Sequence, residues 1–130
     1  MVIDNVQIGG FANIHDVRLA LDDVTVLIAP NGYGKSNVLR AIGFGMDFLS
    51  ANEQEKIQMM RSRFVPINNN MYRKDFRFEI MGSTMMDEQE MEYHYGYTFS
   101  WWAEDKEGRI TSEWLKIKRS ADQRFRQIIN

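Results

Sequence analysis

The chain has 130 residues, the usual size of one domain built around a single hydrophobic core. Hydrophobic residues at 44% and charged residues at 26% exclude wholesale disorder and collagen-like repetition, and 16 basic against 18 acidic residues give no global pull toward nucleic acid or membrane. The absence of cysteine excludes disulfides, thiolate metal sites and cysteine nucleophiles, and with no secretory leader and no apolar run of about 20 residues the expectation is a cytoplasmic protein without a membrane partner.

The first third reads as strands. Val2 to Ile8 is followed by Val17, Leu19 and Leu21 alternating with Arg18 and Ala20, and then by the compact run Val24 to Ile28. That run is short, β-branched and almost wholly apolar, as expected of a strand buried on both faces, and it leads into a turn rich in Pro, Asn and Gly. A helix follows, with Val38, Leu39, Ile42, Met46 and Leu49 spaced along one face. Gly43 and Gly45 each weaken it by about 1 kcal/mol relative to Ala, so the helix needs tertiary packing or a close approach there.

Residues 53 to 63 continue as helix, and Val65 to Tyr72, with Pro66 and three consecutive asparagines, reads as a loop. Strands then return. Phe76, Phe78 and Ile80 alternate with Arg77 and Glu79, the series Tyr93, Tyr95, Tyr97, Phe99 and Trp101 alternates with small and polar residues, and Ile110 to Lys118 is a third strand. Gly82 to Glu90 and Ala103 to Gly108 are the joints of an antiparallel meander with one aromatic face. The expected division is one domain: 1–52 strands, a Gly-rich turn and helix; 53–75 helix and loop; 76–118 antiparallel β region; 119–130 basic tail.

Residues 29 to 36 read Ala-Pro-Asn-Gly-Tyr-Gly-Lys-Ser, the Walker A phosphate-loop pattern with Ala29 where the first Gly normally stands. The pattern sits between a buried strand and a helix, where the chemistry requires it. Nucleotide phosphates carry several negative charges, and a glycine-rich loop turns consecutive backbone N–H groups toward them while the helix N-terminus adds its positive dipole end. On this reading Asn31, Gly32, Tyr33, Gly34 and Asn37 form the cradle, Lys35 reaches the β and γ phosphates, and the Ser36 hydroxyl ligates Mg²⁺. The other reading is a Gly-rich turn that joins a strand to a helix and binds nothing.

Asn31-Gly32, Gly34-Lys35-Ser36-Asn37 and Leu39-Arg40-Ala41-Ile42, after an N-terminal Phe11-Ala12-Asn13-Ile14 segment, resemble the start of an ABC-type ATPase head. More narrowly the sequence is similar to the group containing RecF, the structural-maintenance-of-chromosomes proteins and the overcoming-lysogenization-defect AAA-type ATPases, with Asn37 after the loop serine as the narrowing residue. Phe78-Glu79-Ile80, Tyr93-His94-Tyr95-Gly96-Tyr97, Ile110 and Glu113-Trp114-Leu115 resemble the antiparallel region of the small AAA-type members. The resemblance implies an α/β, P-loop NTPase-like N-terminal lobe with an antiparallel β meander in its second half. It also implies ATP and Mg²⁺ as ligands and head-to-head association driven by ATP.

Hydrolysis in that group also uses a Walker B aspartate and glutamate at the end of a buried strand, a signature loop and a switch histidine. The nearest acidic pair, Glu104-Asp105, follows a strand in which Thr98 and Ser100 alternate, the mark of a half-exposed antiparallel strand. The catalytic residues are therefore unknown, and a second ATPase chain or a C-terminal half outside this sequence is expected to supply them; nucleic acid stays open as a partner. The competing expectation is a non-enzymatic interaction module, or a truncated remnant, that uses the aromatic sheet to bind a larger ATPase.

The remaining candidates are weaker. His15 and His94 lie in separate segments with no metal-ligand spacing. Trp101, Trp102 and the tyrosines could stack bases but lack interleaved basic residues, so a packed sheet face is the expectation. Lys116, Lys118, Arg119, Arg124 and Arg126 against Asp122 alone form a basic end that reads as phosphate-contacting or as a solvated terminus. Asp87, Glu88, Glu90 and Glu92 read as a solvated hairpin loop.

Overall fold

A computed structural model describes residues 2–12, 14–21, 35–61, 74–103, 107–120 and 126–129. They form six strands and two helices: β1 (Val2–Phe11), β2 (Ile14–Ala20), α1 (Lys35–Ser50), α2 (Glu53–Met60), β3 (Phe76–Met86), β4 (Gln89–Ser100), β5 (Arg109–Arg119) and β6 (Arg126–Ile129). The strands make one sheet in the order β2-β1-β3-β4-β5-β6, and every neighbouring pair is antiparallel.

This corrects the expected α/β, P-loop NTPase-like lobe: the described residues form an antiparallel sheet with two helices, without a parallel strand pair among them. The physical reason lies in the strand pattern. β1, β3 and β4 alternate apolar with polar or small residues, which suits a sheet packed on one face only, whereas a parallel sheet between helix layers needs strands apolar on both faces. The one run of that second kind, Val24 to Ile28, lies outside the described residues. The meander over 76–118 is present as β3, β4 and β5.

The β3–β4 hairpin is longer than its sequence suggests. Gly82 to Glu90, expected as a joint, is mostly strand, and the reversal occurs at Asp87 and Glu88, whose φ values of +51° and +63° are those of a two-residue hairpin turn. Within the expected basic tail, residues 126–129 pair with β5 as an edge strand.

One face of the sheet carries Val6, Ile8, Phe76, Phe78, Ile80, Tyr97 and Phe99, all buried, and α1 lies on it. The contact is aromatic. Phe48 stacks on Tyr97 and Phe99 with ring centroids 5.1 and 4.9 Å apart, and Phe44 packs against Phe11, Phe76 and Trp101 at 5.2 to 5.8 Å. Gly45 supplies the closest approach: a Cβ there would stand 2.2 Å from the Phe78 ring, and its carbonyl accepts a 2.8 Å hydrogen bond from the Tyr97 hydroxyl.

The buried face of α1 therefore differs from the expected stripe. Val38, Ala41, Gly45 and Phe48 face the sheet, while Leu39 and Met46, expected in the core, are 46% and 36% exposed. α2 is capped by Asn52, whose Oδ1 accepts from the Glu55 N–H at 2.8 Å, and it ends at Met60 rather than running to residue 63. The Met60 carbonyl accepts from the Trp102 N–H at 3.0 Å, which ties α2 to the end of β4.

Candidate functional site

Of the residues expected to hold phosphate and metal, Asn31, Gly32, Tyr33 and Gly34 lie outside the described residues, as do Ala29 and the run Val24 to Ile28. Lys35, Ser36 and Asn37 form the first turn of α1, whose opening residue is Lys35 itself; their side chains are not among the described ones. The backbone N–H groups at the start of a helix have no acceptor within it and carry the positive end of its dipole. No acidic residue occupies the first turn of α1, so none of its own residues there neutralises that end.

The C-terminal half of α1 is held on the sheet by the aromatic seam at Phe44, Gly45 and Phe48. Glu104-Asp105 lies outside the described residues. Among the described residues no group of three or more His, Asp or Glu is arranged to hold a metal ion, and no helix is long and apolar enough to cross a membrane.

The opposite face of the sheet holds a polar cluster that the sequence reading missed. Glu79, on the central strand β3, is 3% exposed. One carboxylate oxygen accepts from Arg77 Nε at 2.5 Å and the other is 2.7 Å from His94 Nε2 on β4. Gly96, directly opposite Glu79, leaves room for Trp114 to lie across the cluster, and a Cβ at Gly96 would meet the indole at 2.4 Å. The Arg77 guanidinium stands 5.7 Å from the Trp114 ring centre.

Both Glu79 oxygens are already bonded inside the protein, so this cluster pins β3 to β4 instead of offering a ligand position. The missing signal was pairing: period-two alternation places Arg77 and Glu79 on one face, but only the β3–β4 register brings His94 beside them.

Of the aromatic residues weighed as base-stacking candidates, Tyr93, Tyr97 and Trp101 are core, while Tyr95 and Trp102 are half-buried against it. Tyr97 is 1% exposed and Trp101 3%, and the Trp101 indole N–H donates to the Gly10 carbonyl at 3.0 Å. In the basic end of the chain, Lys118 pairs with Glu92 at 3.2 Å.

Burial pushes the Tyr97 hydroxyl well above the usual tyrosine range, with neighbouring Tyr95 adding to the shift. Tyr95 is raised by desolvation, then by its hydrogen bond to Glu113 and that carboxylate's charge. The neutral Tyr97 side chain therefore contributes fully to stability below the ordinary tyrosine pKa of 10.0, and that contribution is lost as pH rises above it toward the folded-state value. Urea midpoints measured from about pH 8 to about pH 12 should fall in the upper part of the range, and Tyr97→Phe, with no proton to lose, should flatten the fall. A Tyr97→Phe profile parallel to wild type would place the alkaline loss elsewhere.

No curated protein and no solved structure matches the chain. A family model matches residues 1–121, under the description Protein of unknown function (DUF2813). The chain belongs to that family.

Proposed function

We propose that this chain binds ATP with Mg²⁺ through residues 29–36, as the N-terminal part of an ATPase of the RecF, structural-maintenance-of-chromosomes and overcoming-lysogenization-defect kind. The carboxylates for hydrolysis come from a second chain or from a part of the ATPase beyond this sequence. One observation carries the reading: the phosphate-loop pattern ends at Lys35-Ser36, and α1 begins at Lys35 with no acidic residue in its first turn. Lys35 is the point charge on the β and γ phosphates, and Ser36 supplies an oxygen to Mg²⁺. The loop's N–H groups take the remaining phosphate oxygens. The interaction-module alternative gains no support from the aromatic stripe, because Tyr97, Phe99 and Trp101 lie in the core.

Calorimetric titration with Mg·ATP tests the proposal. Wild type is expected to bind, and Lys35→Ala to bind on the order of 100-fold more weakly, the effect of removing one charge-assisted phosphate contact. The thermal midpoint should be unchanged, because a helix-terminal Lys→Ala substitution leaves the core intact. A folded wild type that does not bind ATP, or equal binding by the two proteins, refutes the reading.

A further inference from the structure

β5 alternates between two environments. Leu115 and Ile117 pack against the core, which turns Trp114, Lys116 and Lys118 to the outer face of the sheet, the one opposite α1. An aromatic ring is thus interleaved with basic side chains, the pattern that the tyrosine stripe of β4 lacks. Trp114 lies across Gly96: a Cβ there would meet Cζ2 and Cε2 of the indole at 2.4 and 2.7 Å. One side of the ring therefore rests on bare backbone, and the residue stays half-exposed.

The charges around the indole leave cations in surplus. Glu79 is buried with its two oxygens engaged by Arg77 and His94, and Glu92 pairs with Lys118. Lys116, one strand repeat of about 7 Å from Trp114, has no ion-pair partner among the described residues. Arg77 is 49% exposed and stands 5.7 Å from the indole centre; it bonds Glu79 through Nε, which leaves its terminal nitrogens as donors. The acidic hairpin turn at Asp87 and Glu88 lies roughly 25 Å along β4 from Gly96, beyond the reach of its field in physiological salt.

The rest of an ATPase is expected on the other side of the sheet, where α1 carries the proposed phosphate site at its start. A sheet face prepared for burial under further elements is apolar. This one is polar, and its own side chains already bury Glu79.

We propose that the outer face of the sheet binds single-stranded nucleic acid, one base stacking on Trp114 while neighbouring phosphates are held by Lys116 and Arg77. In a duplex each base is stacked inside the helix and offers the indole no free face, so the single strand is preferred. One stacking ring and two cations support dissociation in the micromolar range at low salt.

The test is fluorescence anisotropy of labelled oligo(dT) and oligo(U) of about 12 nucleotides, titrated with the whole chain to about 200 µM in about 50 mM salt without ATP. Either strand should bind in the micromolar range, the ratio of the two giving the sugar preference, and a duplex of equal length should bind several-fold more weakly. Stacking should quench part of the tryptophan emission, and Trp114→Phe should lose that quench while keeping most of the affinity. Trp114→Leu, which keeps an apolar cover over Gly96, should weaken binding about tenfold. Lys116→Ala should weaken it and lower the slope of log affinity against log salt by about 0.7.

Lys35→Ala should bind the oligonucleotides as wild type does, which separates this face from the proposed ATP site. A folded chain that binds neither strand, a folded Trp114→Leu that binds like wild type, a duplex bound as tightly as the single strand, or binding lost in Lys35→Ala overturns the proposal. If Trp114→Leu unfolds, the Trp114→Phe quench and the Lys116→Ala slope decide instead.

Discussion

Replacing Phe99 by alanine is expected to destabilise the protein by about 3–5 kcal/mol, a large share of the total stability of a domain this size. Phe99 is fully buried on β4, where Phe48 stacks on its ring at 4.9 Å, Phe76 at 4.9 Å and Trp101 meets it edge-on at 4.8 Å. Removing the ring leaves a cavity walled by other rigid aromatic rings, which collapse poorly into empty space. Urea denaturation monitored by tryptophan fluorescence measures the loss, since Trp101 borders the cavity. Met85→Ala, at a side chain 64% exposed near the hairpin end, should change stability by less than about 0.5 kcal/mol. A Phe99→Ala cost near that of Met85→Ala would mean that α1 and the sheet do not share this seam.

The strands were legible because one-sided burial leaves a period-two record. Val6 and Ile8, Phe76 to Ile80, and Tyr93 to Phe99 each alternate between a core-facing residue and one that is polar or small. Their arrangement was legible in part: the antiparallel meander over 76–118 is present as β3, β4 and β5, while the single sheet that joins it to β1 and β2 was not foreseen. The family resemblance implied an α/β lobe, while the alternation in β1, β3 and β4 favours one antiparallel sheet. The length of the β3–β4 hairpin was hidden by Gly82, which reads as a turn residue. Its role is instead to admit the β1 backbone: a Cβ there would lie 1.9 Å from the Val2 carbonyl oxygen.

The face of α1 was misread for a related reason. Hydrophobic spacing selected Val38, Leu39, Ile42, Met46 and Leu49, of which Val38 is buried and Ile42 and Leu49 pack against the core while Leu39 and Met46 are exposed; the sheet takes Ala41 and Gly45 instead because its own side chains are large aromatics and leave little room. The weak helix residues Gly43 and Gly45 raised the question of a close approach, and the two glycines answer it differently. Gly45 sits on Phe78, and Gly43 faces open space. For the candidate site, the sequence placed a helix directly after the motif from the stripe Val38 to Leu49, and that helix begins at Lys35. It did not locate the Glu79, His94 and Arg77 cluster, whose members meet only through strand register.

Gly45→Val ties the seam to the proposed nucleotide site. A Cβ at Gly45 would stand 2.2 Å from Cδ2 and 2.4 Å from Cε2 of Phe78, whose ring is fully buried beside Phe76 and Tyr97 and has no empty space to turn into. The helix must lift, which breaks the Tyr97 hydroxyl bond to the Gly45 carbonyl and opens the Phe48 stack. A cost of about 3 kcal/mol is expected, the upper part of the range for forcing extra methylenes into a packed core. Tyr97→Phe removes the hydrogen bond alone and should cost about 1 kcal/mol. Because α1 also carries Lys35 and Ser36 in its first turn, a lifted helix displaces the proposed phosphate site from ten residues away. Gly45→Val is therefore expected to weaken Mg·ATP binding at a temperature where it is still folded, while Gly43→Ala, on the open side of the same helix, should leave binding and stability at or above wild type. If Gly45→Val binds Mg·ATP as tightly as wild type despite its lost stability, the phosphate loop is held independently of the seam.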